Sequence, residues 1–147
     1  MPLRHIKEAL DVYAPEDERV SRAEATARHG VPENVLARLE ELDVLGTDGY
    51  DADDLRIVEA IARFRAGGYD ESLGFTVYDA LRYREHLQPL VEEEVGVLLD
   101  RLAGEVSVER AVAIIAAGSD PLRDLIGAVH SKLLLAELRR QRNGRRS

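Results

Sequence analysis

Four aspartates stand close together near the middle of the chain, in a spacing that invites comparison with a calcium site: Asp48, Asp51, Asp53 and Asp54. Carboxylate oxygens are among the ligands that Ca²⁺ prefers. The calcium loop of an EF-hand, however, needs an oxygen-bearing side chain at its fifth position and glycine at its sixth. Counting from Asp51, these two positions hold Leu55 and Arg56. The cluster therefore indicates solvated side chains that cap helices, and it predicts no metal site.

Residues that could act as catalysts are present, but they do not form a catalytic pattern. The histidines are scattered, and none has the HExxH spacing of a zinc site: His5, His29, His86 and His130. Glu92, Glu93 and Glu94 are adjacent, so on a helix they point in different directions and cannot converge on one substrate. Phosphate-binding glycine loops, the G-x-S-x-G motif and cysteine are absent from the sequence. We therefore expect no enzyme and no cofactor.

The composition of the 147-residue chain is that of a folded, acidic protein. Hydrophobic residues make up 45% and aromatic residues 5%, which indicates an aliphatic core typical of helical bundles. A formal net charge of −8 disfavours contact with nucleic-acid phosphates unless basic residues cluster. The absence of cysteine is compatible with the cytosol, and neither a signal peptide nor a membrane-spanning run of about 20 apolar residues is found. We expect a cytoplasmic protein with no membrane partner.

The spacing of apolar residues defines the elements of the first half. A helical period recurs throughout and clean strand patterns are absent, which predicts an all-α fold. Ser21 and Glu24 make a capping box at the start of a short helix, and Gly30 is expected to end it. Pro32 then suits the first position of a second helix. Asp51 is expected to cap a third.

Longer helical patterns fill the second half. One runs from about residue 75 to 103 and contains Pro89, which predicts either a kink or two helices that meet end to end. A short helix is expected over residues 107–117, and a last helix opens at Asp120-Pro121.

An apolar stripe on this last helix is the candidate dimer interface: Leu125, Val129 and Leu133. Four-residue spacing places these side chains on one helix face. The stripe predicts a homodimer. The same residues could instead fill a core within one chain, and the sequence leaves both alternatives open.

Three stretches of the first half resemble the winged helix-turn-helix of MerR-type transcriptional regulators: SRAEATARHGV, LEELDVL and GYDADDLRIVEAIARFRAGG. The resemblance implies a winged unit over residues 18–70, followed by a helical regulatory or dimerisation region over residues 75–142. The opening MPLRHIKEAL resembles the last helix of a preceding MerR-type DNA-binding domain. Residues 1–14 would then be a helix left from that domain.

The match departs from the family pattern where MerR-type proteins touch DNA. Arg38 is kept, but Leu39 and Glu40 stand where the family carries aromatic reading residues, and the wing is reduced to GTDGY. Since phosphate contacts by several Lys or Arg supply most affinity for DNA, the unit is predicted to be degenerate. Arg38 is the one candidate DNA contact that carries over.

We therefore expect an all-α protein in which a degenerate, MerR-like winged helix-turn-helix precedes a C-terminal helical bundle. Its expected function is regulation and dimerisation within a transcriptional regulator whose DNA contacts lie in a segment outside this chain. Two alternatives remain open. One is a stand-alone adaptor that binds a protein partner. The other is a module that binds a small apolar effector in a pocket formed by aromatic residues: Tyr69, Phe75, Tyr78 and Tyr83.

Overall fold

The structure is a computed structural model that describes residues 19–102 and 104–146. These residues form five α-helices and one 3-10 turn: α1 (Arg22–His29), α2 (Glu33–Glu41), α3 (Ala52–Ala66), the 3-10 turn (Glu71–Leu73), α4 (Val77–Leu102) and α5 (Val108–Arg146). The predicted all-α class is confirmed for this part of the chain. The helix predicted over residues 1–14 lies outside the described residues. The described chain divides into two compact units, residues 19–101 and residues 102–146.

Helix α1 begins and ends at the residues that the sequence indicates, but only the Ser21 half of the predicted capping box forms, because the Glu24 carboxylate accepts from the Arg28 guanidinium at 2.6 Å. The Ser21 hydroxyl accepts a hydrogen bond from the Glu24 backbone N–H at 3.1 Å. Gly30 adopts a left-handed conformation with φ of 74°, and its N–H donates to the Thr26 carbonyl at 2.8 Å. Both bonds satisfy backbone groups that a helix end leaves without a partner. The turn after Gly30 leads directly into α2.

Two aspartates of the acidic cluster form a reciprocal cap at the start of α3. The Asp54 N–H donates to the Asp51 carboxylate at 2.9 Å, and the Asp51 N–H donates to the Asp54 carboxylate at 3.1 Å. Asp54 also accepts a hydrogen bond from the Gly46 N–H, and burial raises its pKa. Among the described residues, no group of three or more histidines and carboxylates is placed to hold a metal ion.

Within the described residues, an isolated antiparallel bridge joins Val20, just before α1, to Tyr50, just before α3. Each residue donates its N–H to the other's carbonyl, at 3.0 and 2.7 Å. Tyr50 is only 1% exposed and belongs to the core of the first unit. The remaining core residues are mostly aliphatic, as the composition predicts: Val20, Ala25, Val31, Leu36, Leu39, Leu45, Val58, Ile61 and Phe75.

The two long helices continue through their prolines. Pro89 lies inside α4, and Pro121 lies inside α5, so the helix boundaries predicted near residues 117–121 are wrong. A proline removes one backbone hydrogen bond, here to the carbonyl of Glu85 or Ala117. Both of these residues are exposed, so water can replace the missing donor. The helical bonds on either side of each proline are kept.

Candidate functional site

The only cation of α2, Arg38, is engaged with other side chains of the same unit. Its guanidinium donates to the Glu41 carboxylate at 2.7 Å and to the Tyr78 hydroxyl at 2.9 Å. It also lies 5.8 Å from the centre of the Tyr78 ring, within the range of a cation–π contact. These contacts, led by the hydrogen bond with Tyr78, raise the pKa of Arg38. A phosphate would have to compete with them for this guanidinium.

Leu39 and Glu40, which stand where the MerR resemblance would place aromatic DNA-contacting residues, do not form an exposed surface. Leu39 is fully buried in the core. Glu40 accepts a hydrogen bond from the Arg22 side chain at 2.6 Å and another from the Tyr50 hydroxyl at 3.0 Å. The bond from Arg22 is the main reason that the pKa of Glu40 is lowered. Neither position is therefore available to contact a base edge.

The Tyr50 hydroxyl of this hydrogen-bond network makes the free energy of unfolding depend on pH in the alkaline range. Burial, reinforced by the hydrogen bond to Glu40, raises the pKa of Tyr50 from 10 to about 12. Between these values the unfolded chain loses the Tyr50 proton while the folded chain keeps it. Unfolding is then favoured by rising pH. We expect the free energy of unfolding, measured with urea, to fall between pH 10 and 12.

The Tyr50→Phe variant is the matched control for this effect. It removes the titrating hydroxyl and keeps the ring, so its stability should lack the part of the alkaline loss that Tyr50 contributes. It should also be less stable at neutral pH by about 1 kcal/mol, since one hydrogen bond is lost. An alkaline loss of the same size in both proteins would contradict the assignment to Tyr50.

An apolar groove of about 500 Å³ lies between α3 and α4. One wall is formed by α3 residues with helical spacing: Ile57, Ala60, Ile61 and Phe64. The opposite wall is formed by Ala80, Tyr83, Leu87 and Val91 of α4. Three aromatic rings meet at one end, where the ring centres of Phe64, Tyr69 and Phe75 lie 5.3–6.2 Å apart. This volume falls within the range of small-molecule pockets, about 300–1,000 Å³.

The groove brings together three of the four aromatic residues that the sequence indicated. Tyr69, Phe75 and Tyr83 line it, and Tyr78 contacts Arg38 instead. Tyr78 and Tyr83 are five residues apart on α4, so their side chains leave the helix in directions about 140° apart. Phe64 on the facing helix also lines the groove and was not among the predicted pocket residues. Its apolar spacing on α3 was visible, but that spacing could not show that a gap remains beside α4.

The polar side chains of the groove carry a net positive charge. Arg82 and Arg84 line it from α4, together with Asp79 and Gln88. Asp79 already accepts a hydrogen bond from the Thr76 N–H at 2.8 Å. It also lies 3.4 Å from Arg82. The chemistry of this arrangement is that of an apolar binding site with guanidinium groups at its edge.

The residues of the predicted dimer interface are exposed to solvent on α5. Leu125, Val129 and Leu133 are 60%, 48% and 65% exposed. Other large apolar side chains of the same helix are exposed as well: Leu122, Leu134, Leu135 and Leu138. From residue 119 to 145, Ile126 is the only residue that is not exposed. In contrast, Ala111 and Val112 near the start of α5 are buried. The apolar surface is thus concentrated in the C-terminal part of the helix.

Comparison with known proteins does not assign a family, because no family model, curated protein or solved structure matches this chain. Within the described residues, every helix is too short or too polar to cross a membrane. Three features of the described residues bear on function: the α2 surface, the groove and the exposed apolar residues of α5.

Proposed function

We propose that this chain is the regulatory and dimerisation domain of a MerR-like transcriptional regulator, and that it is not itself a strong DNA reader. The observation that carries the proposal is the open apolar face of α5. It carries Leu122, Leu125, Val129 and Leu133 on one side of the helix and extends roughly 16 Å along it. An apolar surface of this extent is typical of a protein interface. A second copy of the chain offers the same surface, as a symmetric dimer requires.

The arrangement of the first unit supports the MerR-like part of the proposal. Two short helices follow each other across the left-handed turn at Gly30, and a third helix follows the bridge between Val20 and Tyr50. This order corresponds to a helix-turn-helix with a minimal wing. The dimer would act within a longer regulator whose DNA-reading segment lies outside this chain, in the cytoplasm.

Hydrogen exchange of the intact protein tests the dimer at the level of α5. A helix with no partner frays and exchanges its amide protons quickly. We expect residues 122–138 to be protected at high protein concentration, and this protection should decrease on dilution as the dimer dissociates. Helix α1, whose Ala25 is buried within one chain, serves as the internal control and should not respond to dilution. Fast exchange of residues 122–138 at every concentration would contradict the proposal.

The second half of the proposal predicts negligible binding to duplex DNA. The α2 surface offers one cation, Arg38, which is paired with Glu41 at 2.7 Å, and Glu33 adds a further negative charge to this helix, so α2 repels phosphate. In fluorescence anisotropy at low salt, we expect a dissociation constant weaker than about 100 µM. A variant with both glutamates replaced by arginine should gain weak affinity that decreases as salt rises. Tight, salt-dependent binding by the unchanged chain would refute this half of the proposal.

A second candidate function, the binding of a small effector, is favoured by the groove between α3 and α4. Its walls are apolar, yet Phe64, Tyr69 and Tyr83 are each about half exposed in the chain alone. A ligand that covered these rings would remove apolar surface from water. This role is compatible with dimerisation, because the groove belongs to the first unit and the α5 face to the second.

A further inference from the structure

We propose that the groove between α3 and α4 binds an anionic amphiphile, namely a free carboxylate with an unbranched apolar chain of about ten carbons. The inference deepens the effector role and rests on it. The apolar chain would lie along the facing rows of α3 and α4, and the carboxylate would bind the guanidinium of Arg82 or Arg84.

The residues that line the groove favour a ligand with an apolar chain. The two walls present aliphatic residues along most of their length and aromatic rings at one end. Alkyl chains pack favourably against such surfaces, at about 0.8 kcal/mol for each buried methylene. Ala60 is an exposed residue with a small side chain on the α3 wall, so a larger side chain at this position would occupy space in the groove.

The positive charge of Arg82 and Arg84 favours an anionic ligand. Arg84 lines the groove and donates from Nε to the Asp43 carbonyl at 2.8 Å, so its two terminal amino groups can still donate to a ligand. Arg82 is 62% exposed, and its 3.4 Å separation from Asp79 is longer than the 2.7–2.9 Å or so of a strong charged hydrogen bond. Asp79, the only acidic residue of the lining, is already bonded to the start of α4. A carboxylate therefore finds donors here, whereas a cation does not find a free acceptor of equal strength.

The volume of the groove favours a small molecule over a folded protein partner. The cavity of about 500 Å³ exceeds the volume of a ten-carbon acid and lies within the range of ligand pockets. A partner helix would also need an apolar stripe, and α5 of a second copy has one. This occupant is disfavoured, because α5 lacks the acidic excess that Arg82 and Arg84 would attract and carries basic residues at its end.

Isothermal titration calorimetry of the full chain with three ligands of equal chain length tests the inference. The probes are decanoate, decan-1-ol and decyltrimethylammonium, each below its micellar concentration. We expect decanoate to bind at least about tenfold more tightly than the alcohol, since a charged hydrogen bond is added. The cation should bind more weakly than the alcohol. Equal affinity for decanoate and decanol would overturn the anionic ligand while leaving the effector role, and binding of neither would overturn both.

Substitutions locate the ligand in the groove. Arg82→Gln, alone or combined with Arg84→Gln, should reduce the ratio of the affinity for decanoate to the affinity for decanol. The affinity for decanol should stay unchanged, which shows that the groove is intact in these variants. Arg56→Gln, at an exposed arginine of α3 paired with Asp53, is the control and should have no effect. If the decanoate advantage persists without both groove arginines, the inference is wrong.

Filling the groove provides the second set of variants. Ala60→Leu should abolish binding of decanoate and decanol, whereas Ala66→Leu, at an exposed position of the same helix outside the groove, should not. The sedimenting mass of both variants should equal that of the unchanged chain. If Ala60→Leu instead dissociates a dimer and no ligand binds to the unchanged chain, the groove is an interface between copies and the ligand inference is overturned.

Discussion

A chain with lysine in place of Leu125 and Leu133 is expected to be a monomer at concentrations where the unchanged chain is a dimer. Burying a leucine side chain contributes about 1.5–3 kcal/mol, and each substitution occurs twice in a symmetric dimer. Each change should therefore weaken dimerisation by at least about 100-fold. Lysine also places like charges across the contact. Light scattering coupled to size-exclusion chromatography measures the mass of each variant.

Leu73→Lys is the matched control for this experiment. Leu73 is 69% exposed, more than either dimer residue, but it lies in the 3-10 turn of the first unit. Its replacement should leave the mass in solution unchanged. This result would show that dimerisation depends on the leucines of α5 and not on any exposed leucine. A Leu125→Lys, Leu133→Lys protein that remains dimeric would show that the dimer, if any, forms elsewhere. A circular dichroism spectrum of each variant checks that the helices persist.

Leu39→Ala is expected to destabilise the first unit by about 2–5 kcal/mol. Leu39 is fully buried, and its carbonyl accepts hydrogen bonds from the N–H groups of Val44 and Leu45 that shape the turn after α2. Removing its side chain leaves a cavity where α2 packs against the core. Urea unfolding measures the change. Because total stabilities of single domains are only about 5–15 kcal/mol, this is one of the largest effects that a single substitution can have here.

Leu90→Ala provides the comparison, because Leu90 is 39% exposed on α4 and should cost less than about 1 kcal/mol. The experiment bears on function as well as on stability. In the MerR resemblance, residue 39 stands at a position that touches DNA, whereas the structure places it in the core. A small effect of Leu39→Ala would mean that this side chain is not held in the core, and the claim that the reading position has been turned inward would be wrong.

Local signals in the sequence were sufficient for both ends of α1 and for the start of α3, whereas Pro32, predicted as the first residue of α2, is its N-cap. Ser21 and Asp51 each cap a helix through their own side chains, and Gly30 adopts the left-handed conformation that only a few residues tolerate. These interactions involve residues at most four positions apart, so the spacing of residue types predicts them directly. The all-α class followed from apolar spacing in the same way.

Features that depend on distant residues could not be predicted. The sequence did not indicate that Arg38 would bind Tyr78, forty positions away, because nothing local specifies that contact. Tyr69, Phe75 and Tyr83 were predicted to line a pocket, but the α3 wall of the groove was not predicted, since it depends on the space left between α3 and α4. At Pro121 the local signal was misleading: proline is a strong helix breaker, but solvent can satisfy the backbone carbonyl that it leaves free.

Sedimentation equilibrium of the complete chain over a wide range of concentrations is the measurement that tests the central claim most directly. The open face of α5 predicts a reversible equilibrium whose limiting mass at high concentration is twice that of one chain. The dimer should persist in high salt, because apolar side chains form the contact. A protein that remains a monomer at every concentration would contradict the account, since the exposed leucines of α5 would then have no partner in a second copy.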